Sequence, residues 1–356
     1  MKKLRVAFCG GGTGGHYYPA VAILHELSKS RELDLLYFTV SGKIDDRNVE
    51  QDFPGAKRVP LRLTGLRRPL YNPANAGILF SHFNTERYVK RQLSEFSPDF
   101  LFSTGGYVSY PVVKAAHQLE IPVFIHEQNS VVGIANKRLA KYARLFFISF
   151  EESREALDIP QEKIVSSGNP VREARASRSE VFKKFSLSEK SPLIVVLGGS
   201  LGSETINKVF EELYCGMRER KKELSFVHST GNDETAFSLR RFPFVRPYAY
   251  IENLTDVIAC ADLVVSRGGA TTIAELQYFG RKGIIIPWPG ASENHQFHNA
   301  LSLERVGLGY VILEEKLTSA ALSIAIDEML QKEISYKPPR RPVEIVLDNI
   351  LREESI

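Results

Sequence analysis

Short apolar runs recur along the chain, each closed by glycines and followed by apolar residues at helical spacing. Val6-Ala7-Phe8-Cys9 reads as a buried strand; beyond Gly10–Gly15, a helix opened by Pro19 carries Ala20, Ile23, Leu24 and Leu27 at i, i+3, i+4 and i+7. Leu193–Leu197 repeats the strand, Gly198-Gly199-Ser200-Leu201-Gly202 the turn, and Ile206, Val209, Phe210 and Leu213 the helix. A second pair agrees. Phe100-Leu101-Phe102 leads through Ser103-Thr104-Gly105-Gly106 and a helix to the strand Ile121–Ile125, and Leu263-Val264-Val265 leads through Ser266-Arg267-Gly268-Gly269 and a helix to Gly283–Ile286. The chain therefore repeats one α/β plan: strand, glycine turn and helix, which predicts parallel sheets with helices on both faces. Ligands of such sheets sit at the carboxyl ends of the strands, where all four glycine turns fall. Two such halves facing each other would make a cleft.

Between the halves, Ile159-Pro160 to Gly168-Asn169-Pro170 is rich in turn residues, and Ala174–Lys190 is polar. This predicts domains over 1–163 and 164–339. After Pro338-Pro339-Arg340-Arg341-Pro342, the stripe Val343, Leu347, Ile350 and Leu351 predicts a last helix within 340–356 that needs an apolar surface to pack on. Residues 57–91 differ from the rest: Lys57, Arg58, Arg62, Arg67, Arg68, Arg87, Lys90 and Arg91 flank Leu66, Leu70, Ile78, Leu79, Phe80 and Phe83. Taken alone, the stretch favours a buried helix with a solvated charged face; the other reading is a patch resting on an anionic membrane.

Composition narrows the class. At 356 residues the chain exceeds the size at which one core keeps growing, and 43% hydrophobic with 25% charged residues is ordinary for a globular protein. Three dispersed cysteines, Cys9, Cys215 and Cys260, fit reduced cytoplasmic thiols and show no metal-ligand spacing. Met1-Lys2-Lys3-Leu4-Arg5 begins like a signal peptide, but its apolar run stops at Cys9, and no stretch approaches the roughly 18 apolar residues of a membrane span. The net charge of +4 leaves room for a local basic surface but does not point to nucleic acid.

The candidate chemistry lies at the strand ends. Gly10-Gly11-Gly12-Thr13-Gly14-Gly15-His16 brings free N–H groups and a helix amino end to one spot, which suits a phosphate or another oxygen-rich group. Gly10, Gly12 and Gly15 match the dinucleotide pattern, yet the next strand, Leu35–Val40, ends in Ser41-Gly42 without an acid for a ribose. His126-Glu127-Gln128-Asn129 places four polar side chains in succession at a strand end, where Asn129 offers donor and acceptor to a sugar. Arg172, after Gly168-Asn169-Pro170-Val171, is either a clamp for a diphosphate or a surface arginine in a hinge. Glu275, near the start of a helix, is either an acceptor for two ribose hydroxyls or an exposed helix glutamate. Glu293–Asn299 repeats the polar strand-end pattern.

Together, GGGTGGHYYP, STGGYVSYP, HEQN, GNPVR, GGSLGS, SRGGATTIAE and ENHQFHNA, in that order over nearly the whole chain, resemble the MurG family of glycosyltransferases. The resemblance implies a GT-B fold of two Rossmann-like domains, with UDP-N-acetylglucosamine in the C-terminal one, the acceptor against the N-terminal one, and the final helix returning to the N-terminal domain. It implies inverting transfer of N-acetylglucosamine onto lipid I, the polyprenyl-diphosphate-linked muramyl pentapeptide, to give lipid II for the cell wall and, through it, cell shape and division. By motif, Ser200 and Arg172 contact the diphosphate, the backbone of Ile251 meets uracil, Glu275 holds the ribose and Gln296 the sugar hydroxyls. Ala270, Thr271 and Thr272 run along the nucleotide, while Gly12, Thr13, Gly14, His16 and Asn129 face the transferred sugar and acceptor. His16 is the first candidate for the base and Glu127 the second. No tightly bound cofactor or metal is implied; Arg172, Ser200 and helix dipoles meet the leaving-group charge.

A bilayer-anchored acceptor moves Ile78, Leu79, Phe80 and Phe83 onto a membrane-facing patch, at the cytoplasmic face of the cell membrane, with other peptidoglycan enzymes as further partners. Leu201, Tyr110 and His295 depart from the family pattern. Three alternatives stay open: a related transferase with another lipid-linked acceptor, a non-catalytic nucleotide-sugar-binding scaffold and, remotely, a dehydrogenase.

Overall fold

Period-two alternation within the strands decides how the first sheet is covered. The computed structural model describes residues 3–63, 75–199, 202–220 and 224–353, without the side chains of 75–83 and 218–220. Strands β1 (Leu4–Cys9), β2 (Leu33–Val40), β3 (Lys57–Leu61), β4 (Phe100–Ser103), β5 (Val123–Glu127), β6 (Leu145–Ile148) and β7 (Ile164–Ser166) form one sheet in the order β3-β2-β1-β4-β5-β6-β7. Every pairing is parallel, with Val6 opposite Leu35 and Phe100. Val6, Phe8, Tyr37, Phe100, Phe102, Phe124 and Phe147 turn to one face. Ala7, Cys9, Leu36, Phe38, Leu101, Ile125 and Phe146 turn to the other. Both faces are buried, as a parallel sheet requires.

Helices α1 (Gly14–Ser30), α2 (Ile44–Asp52), α3 (Asn75–Phe96), α4 (Ser109–Gln118) and α5 (Ile134–Leu139) connect these strands. Apolar periodicity starts the first helix at Pro19, whereas α1 begins five residues earlier with Thr13 as its N-cap, and Pro19 lies inside it. The first N–H groups of a helix have no partner within it, so glycines are tolerated there. His16 consequently stands in the first turn of a helix, with its N–H 3.3 Å from the Thr13 carbonyl.

The second unit repeats the plan. Strands β8 (Leu193–Leu197), β9 (Ser225–Ser229), β10 (Val245–Tyr248), β11 (Leu263–Ser266), β12 (Gly283–Ile285) and β13 (Gly309–Val311) pair in parallel in the order β10-β9-β8-β11-β12-β13. Helices α6 (Arg178–Lys184), α7 (Glu204–Arg220), α8 (Asp233–Leu239), α9 (Leu254–Cys260), α10 (Ala270–Phe279), α11 (His295–Arg305) and α12 (Ser319–Gln331) belong to it. Its core centres on Ile194, Val196, Phe210, Tyr214, Phe226, Val265 and Ile284.

The units divide after Arg172, not after residue 163. The reason is β7: Ile164, Val165 and Ser166 pair with Phe146, Phe147 and Ile148, so the segment expected to open the second domain closes the first sheet. The chain returns to the first unit at Arg340. Helix α13 (Pro342–Glu353) buries Val343, Val346, Leu347 and Ile350 in the cluster that holds Phe8 and α1. At about 1.5–3 kcal/mol for each fully buried aliphatic side chain, that stripe outweighs the surface ion pair Arg341–Glu26, at 2.8 Å, that accompanies it.

Candidate active site

In the first unit the strand order reverses between β1 and β4, and sheets of this kind take ligands in the crevice outside the carboxyl ends at that point. Gly10–Thr13 follows β1, Thr104–Gly106 follows β4, and Thr104 N–H donates to the Cys9 carbonyl at 3.0 Å. Gly106, at φ +83°, lets the two turns close on each other: a Cβ there would lie 3.0 Å from the Gly11 carbonyl oxygen and 3.3 Å from His16 Cδ2. Beneath the first turn lies Asp45, wholly buried. It accepts from Gly12 N–H at 2.8 Å and Val40 N–H at 2.6 Å, and a Cβ on Gly11 would meet its Oδ2 at 2.1 Å. Burial pushes the Asp45 carboxyl above its usual range against those two amide bonds. A carboxylate does follow β2, then, but it supports the glycine turn instead of reaching outward for a ribose.

His16 Nδ1 lies 2.9 Å from the Thr104 carbonyl oxygen and 2.9 Å from Gln128 Oε1. Both partners only accept, so Nδ1 carries the proton and Nε2 keeps its lone pair. Gln128, buried at the end of β5, donates its amide to His126 Nδ1 and to the His126 carbonyl, each at 3.0 Å. His126 Nε2–H donates to the Gly168 carbonyl at 3.0 Å.

Glu127, the second candidate for the base, is held by its own turn. It is 1% exposed; one oxygen accepts from Asn129 N–H and Nδ2, the other from Gly133 N–H and Asn136 Nδ2, at 2.9–3.2 Å. Four donors hold this carboxylate, which therefore fixes the turn from Gln128 to Asn136. Asn129 is half-buried on that turn. The guanidinium of Arg172 lies 4.3 Å from the centre of the Tyr18 ring, which itself abuts Gly14, so Arg172 stands against α1. Tyr110, half-buried on α4, packs on the core with Lys114 over its ring.

In the second unit the reversal falls between β8 and β11. Arg267, 9% exposed at the end of β11, donates to Ser203 Oγ at 2.6 Å and to the Ile286 carbonyl at 3.3 Å, and pairs with Glu314 at 2.5 Å. It joins the loop after β8 to the ends of β11 and β12. Glu275 is 5% exposed, not the exposed helix glutamate that was its alternative, and accepts from Thr255 Oγ1 at 2.7 Å. Ala270, Thr271 and Thr272 form the first turn of α10, and the Thr271 hydroxyl is buried without a partner among the described residues. Gln296 accepts from Trp288 N–H at 3.0 Å, and Ile251 is buried just before α9. Ser200, Leu201 and the side chains of Ile78, Leu79, Phe80 and Phe83 lie outside the described residues.

Sequence reasoning brought forward His16, Asn129, Glu275 and Gln296, named Thr104, Gln128 and Arg267 only as members of their motifs, and missed Asp45; these four hold the sites together. Two buried imidazoles give the fold an acid-sensitive element. Burial holds His126 down to about 4 and His228, in the second unit, down to about 3. Below the ordinary histidine value of about 6.5, the unfolded chain binds protons that the folded chain refuses, so stability is fully present above pH 6.5 and declines as pH falls toward 4. Each group contributes up to about 3 kcal/mol. Thermal melting across that range should fall steadily, and His228→Gln should flatten the slope of the second unit's transition; a wild-type melting temperature constant from pH 6.5 to 4 would contradict this.

The chain matches the N-terminal domain of glycosyltransferase family 28 over residues 6–148 and its C-terminal domain over 193–344. The curated UDP-N-acetylglucosamine–N-acetylmuramyl-(pentapeptide) pyrophosphoryl-undecaprenol N-acetylglucosamine transferase of Thermotoga neapolitana is 42% identical over 350 residues, 98% of this chain and 99% of the relative. That of Thermosipho africanus is 39% identical over the same shares. Among solved structures, MurG of Acinetobacter baumannii is 22% identical with a TM-score of 0.72, covering 98% of this chain and 99% of its own. A UDP-N-acetylglucosamine 2-epimerase of Methanocaldococcus jannaschii is 14% identical with a TM-score of 0.65, covering 99% and 100%. The two structural likenesses concern fold alone, since a transferase and an epimerase share it.

Proposed function

The chain belongs to glycosyltransferase family 28, among its MurG transferases, and on that premise we infer that it moves N-acetylglucosamine from UDP-N-acetylglucosamine to the muramyl 4-hydroxyl of lipid I, giving lipid II for peptidoglycan. The observation that carries the reading is the 42% identity over 98% of the chain to a curated transferase of that activity. The site gives it a chemical form. His16 Nε2 takes the proton of the acceptor hydroxyl as that oxygen forms its bond to the anomeric carbon from the face opposite UDP. The bond from that carbon to the diphosphate oxygen breaks, and its electron pair leaves with UDP, so the anomeric configuration inverts. Glu275 holds the ribose, Gln296 the sugar hydroxyls, and the first turn of α10 with Ile251 the nucleotide. Arg172 and Ser200 offset the charge that develops on the leaving group, with helix amino ends adding to it and no tightly bound cofactor required.

Labelled N-acetylglucosamine supplied as its UDP ester should appear on a short-chain lipid I analogue. Tight UDP-sugar binding without product would overturn the acceptor assignment and favour the scaffold alternative. No helix among the described residues is long and apolar enough to cross a membrane. We place the contact with the cytoplasmic face of the cell membrane on the segment with Ile78, Leu79, Phe80 and Phe83, because the acceptor is lipid-anchored and cations flank these residues in the sequence. At about 1 kcal/mol per cation near anionic headgroups, the basic residues add to the apolar contact. Replacing Leu79 and Phe80 by serine should weaken binding to anionic vesicles and leave UDP binding intact; unchanged vesicle binding would remove the assignment.

A further inference from the structure

We propose that Gln128 and His126 are positioning residues that lock His16 in the tautomer able to accept a proton, and do so without placing a charge against its ring. The proposal rests on the transfer reaction above, with His16 as its base. Gln128 makes the central connection. Its amide nitrogen faces two acceptors, His126 Nδ1 and the His126 carbonyl oxygen, each at 3.0 Å. The orientation of the amide is thus set twice over, and Oε1 has to point at His16 Nδ1, 2.9 Å away. The Thr104 carbonyl oxygen, also 2.9 Å from Nδ1, demands a proton on the same atom. A reversed tautomer would set the Nδ1 lone pair against two acceptors at once. The proton on Nδ1 is therefore fixed, and the lone pair on Nε2 is the one presented. Nε2 makes no hydrogen bond among the described residues, and Gly106 lies against that edge of the ring.

His126 holds the far side of Gln128. Its Nε2–H is committed to the Gly168 carbonyl at 3.0 Å, which leaves its Nδ1 as the acceptor that Gln128 needs. The chain of bonds runs from Gly168, four residues before the end of the first unit at Arg172, through His126 and Gln128 to His16. The charges around it are turned elsewhere. Glu127, between the two residues in sequence, spends its oxygens on Asn129, Gly133 and Asn136. Asp45, beneath Gly11 and Gly12, is held by Gly12 and Val40; Tyr107 stands beside Gly12; on α1, Tyr18 lies under Arg172. Burial keeps His126 neutral at neutral pH. His16 is therefore oriented by two carbonyls instead of the carboxylate that commonly backs a catalytic histidine. Carbonyls fix the ring and its tautomer without adding a charge beside it.

The test uses three variants and two readouts. In Gln128→Leu, kcat should fall about 10- to 100-fold, a part of what the base contributes, while KM for UDP-N-acetylglucosamine stays within about twofold. In Gln128→Glu, an oxygen takes the place of the amide nitrogen and needs a proton to bond His126 Nδ1 and the His126 carbonyl, so kcat should fall as pH rises and that proton leaves. His126→Leu should lower kcat in the same sense as Gln128→Leu. Nitrogen NMR of His16 in the free wild-type protein should show the proton on Nδ1, a result independent of any acceptor. Nitrogen shifts that put the proton on Nε2, or a folded Gln128→Leu protein with wild-type kcat, would overturn the proposal. Absence of product from a wild type whose His16 carries its proton on Nδ1 would instead count against the reaction assigned above.

Discussion

His16→Ala lowers kcat for N-acetylglucosamine transfer by about 10²- to 10⁴-fold, the range a positioned general base contributes, and leaves binding of UDP-N-acetylglucosamine and the melting temperature close to wild type. The side chain is half-buried in the first turn of α1 and fills no core cluster. Its loss frees the Thr104 carbonyl and Gln128 Oε1; both residues are buried, but the imidazole between them is half-exposed, so water can enter the space it leaves and bond them. Glu127→Gln gives the contrasting result. Its carboxylate accepts four bonds at 1% exposure, and an amide would turn an NH₂ toward donors on one side of the group. A buried donor left without an acceptor costs about 1–3 kcal/mol, so Glu127→Gln shows itself first as lower stability of the first unit. Steady-state kinetics and melting on both variants separate the roles. A His16→Ala enzyme with wild-type kcat removes His16 as the base, and a Glu127→Gln protein of unchanged stability with a kcat loss of about 10²-fold restores Glu127 as the candidate.

The fold was legible because buried parallel strands announce themselves as continuous apolar runs, and the glycine turns mark their carboxyl ends. Phe100–Ser103 and Leu263–Ser266 read correctly on those grounds alone. The domain boundary was not legible, because β7 is only Ile164-Val165-Ser166 and its membership of the first sheet comes from pairing with β6. The glycine turns pointed to His16, since its neighbours are local. What orients it is not local. Gln128 stands 112 residues from His16, Asp45 33 residues from Gly12, and Arg267 64 residues from Ser203. No periodicity carries such pairs. Gln128 was visible as one of four polar residues in a row, but the pattern could not say which of the four faces the crevice and which turns back to hold the loop. Glu275 was recognised by position, whereas its burial and its bond to Thr255 are products of packing between α9 and α10.

Glu275→Gln raises KM for UDP-N-acetylglucosamine about 10- to 100-fold with a much smaller change in kcat. The carboxylate is presented from α10 at 5% exposure, with one oxygen held by the Thr255 hydroxyl at 2.7 Å, so its direction is set before the nucleotide arrives. Two vicinal ribose hydroxyls are donors to a carboxylate, and hydrogen bonds to a charged group are worth about 1.5–3 kcal/mol each, the same scale as the change in KM expected here. Glutamine keeps the shape but removes the charge and puts a donor where an acceptor is needed, so the loss falls on ground-state and transition-state binding alike. Such uniform loss appears in KM and not in kcat. Trp288 supplies the direct measurement. It is the chain's single tryptophan, 50% exposed, and its backbone N–H donates to Oε1 of Gln296, the residue assigned to the sugar hydroxyls. Indole fluorescence titrated with UDP-N-acetylglucosamine should give a weaker Kd in Glu275→Gln by the same factor as KM. An unchanged Kd would mean that the ribose is held elsewhere in the second unit and that the burial of Glu275 serves the α9–α10 contact alone.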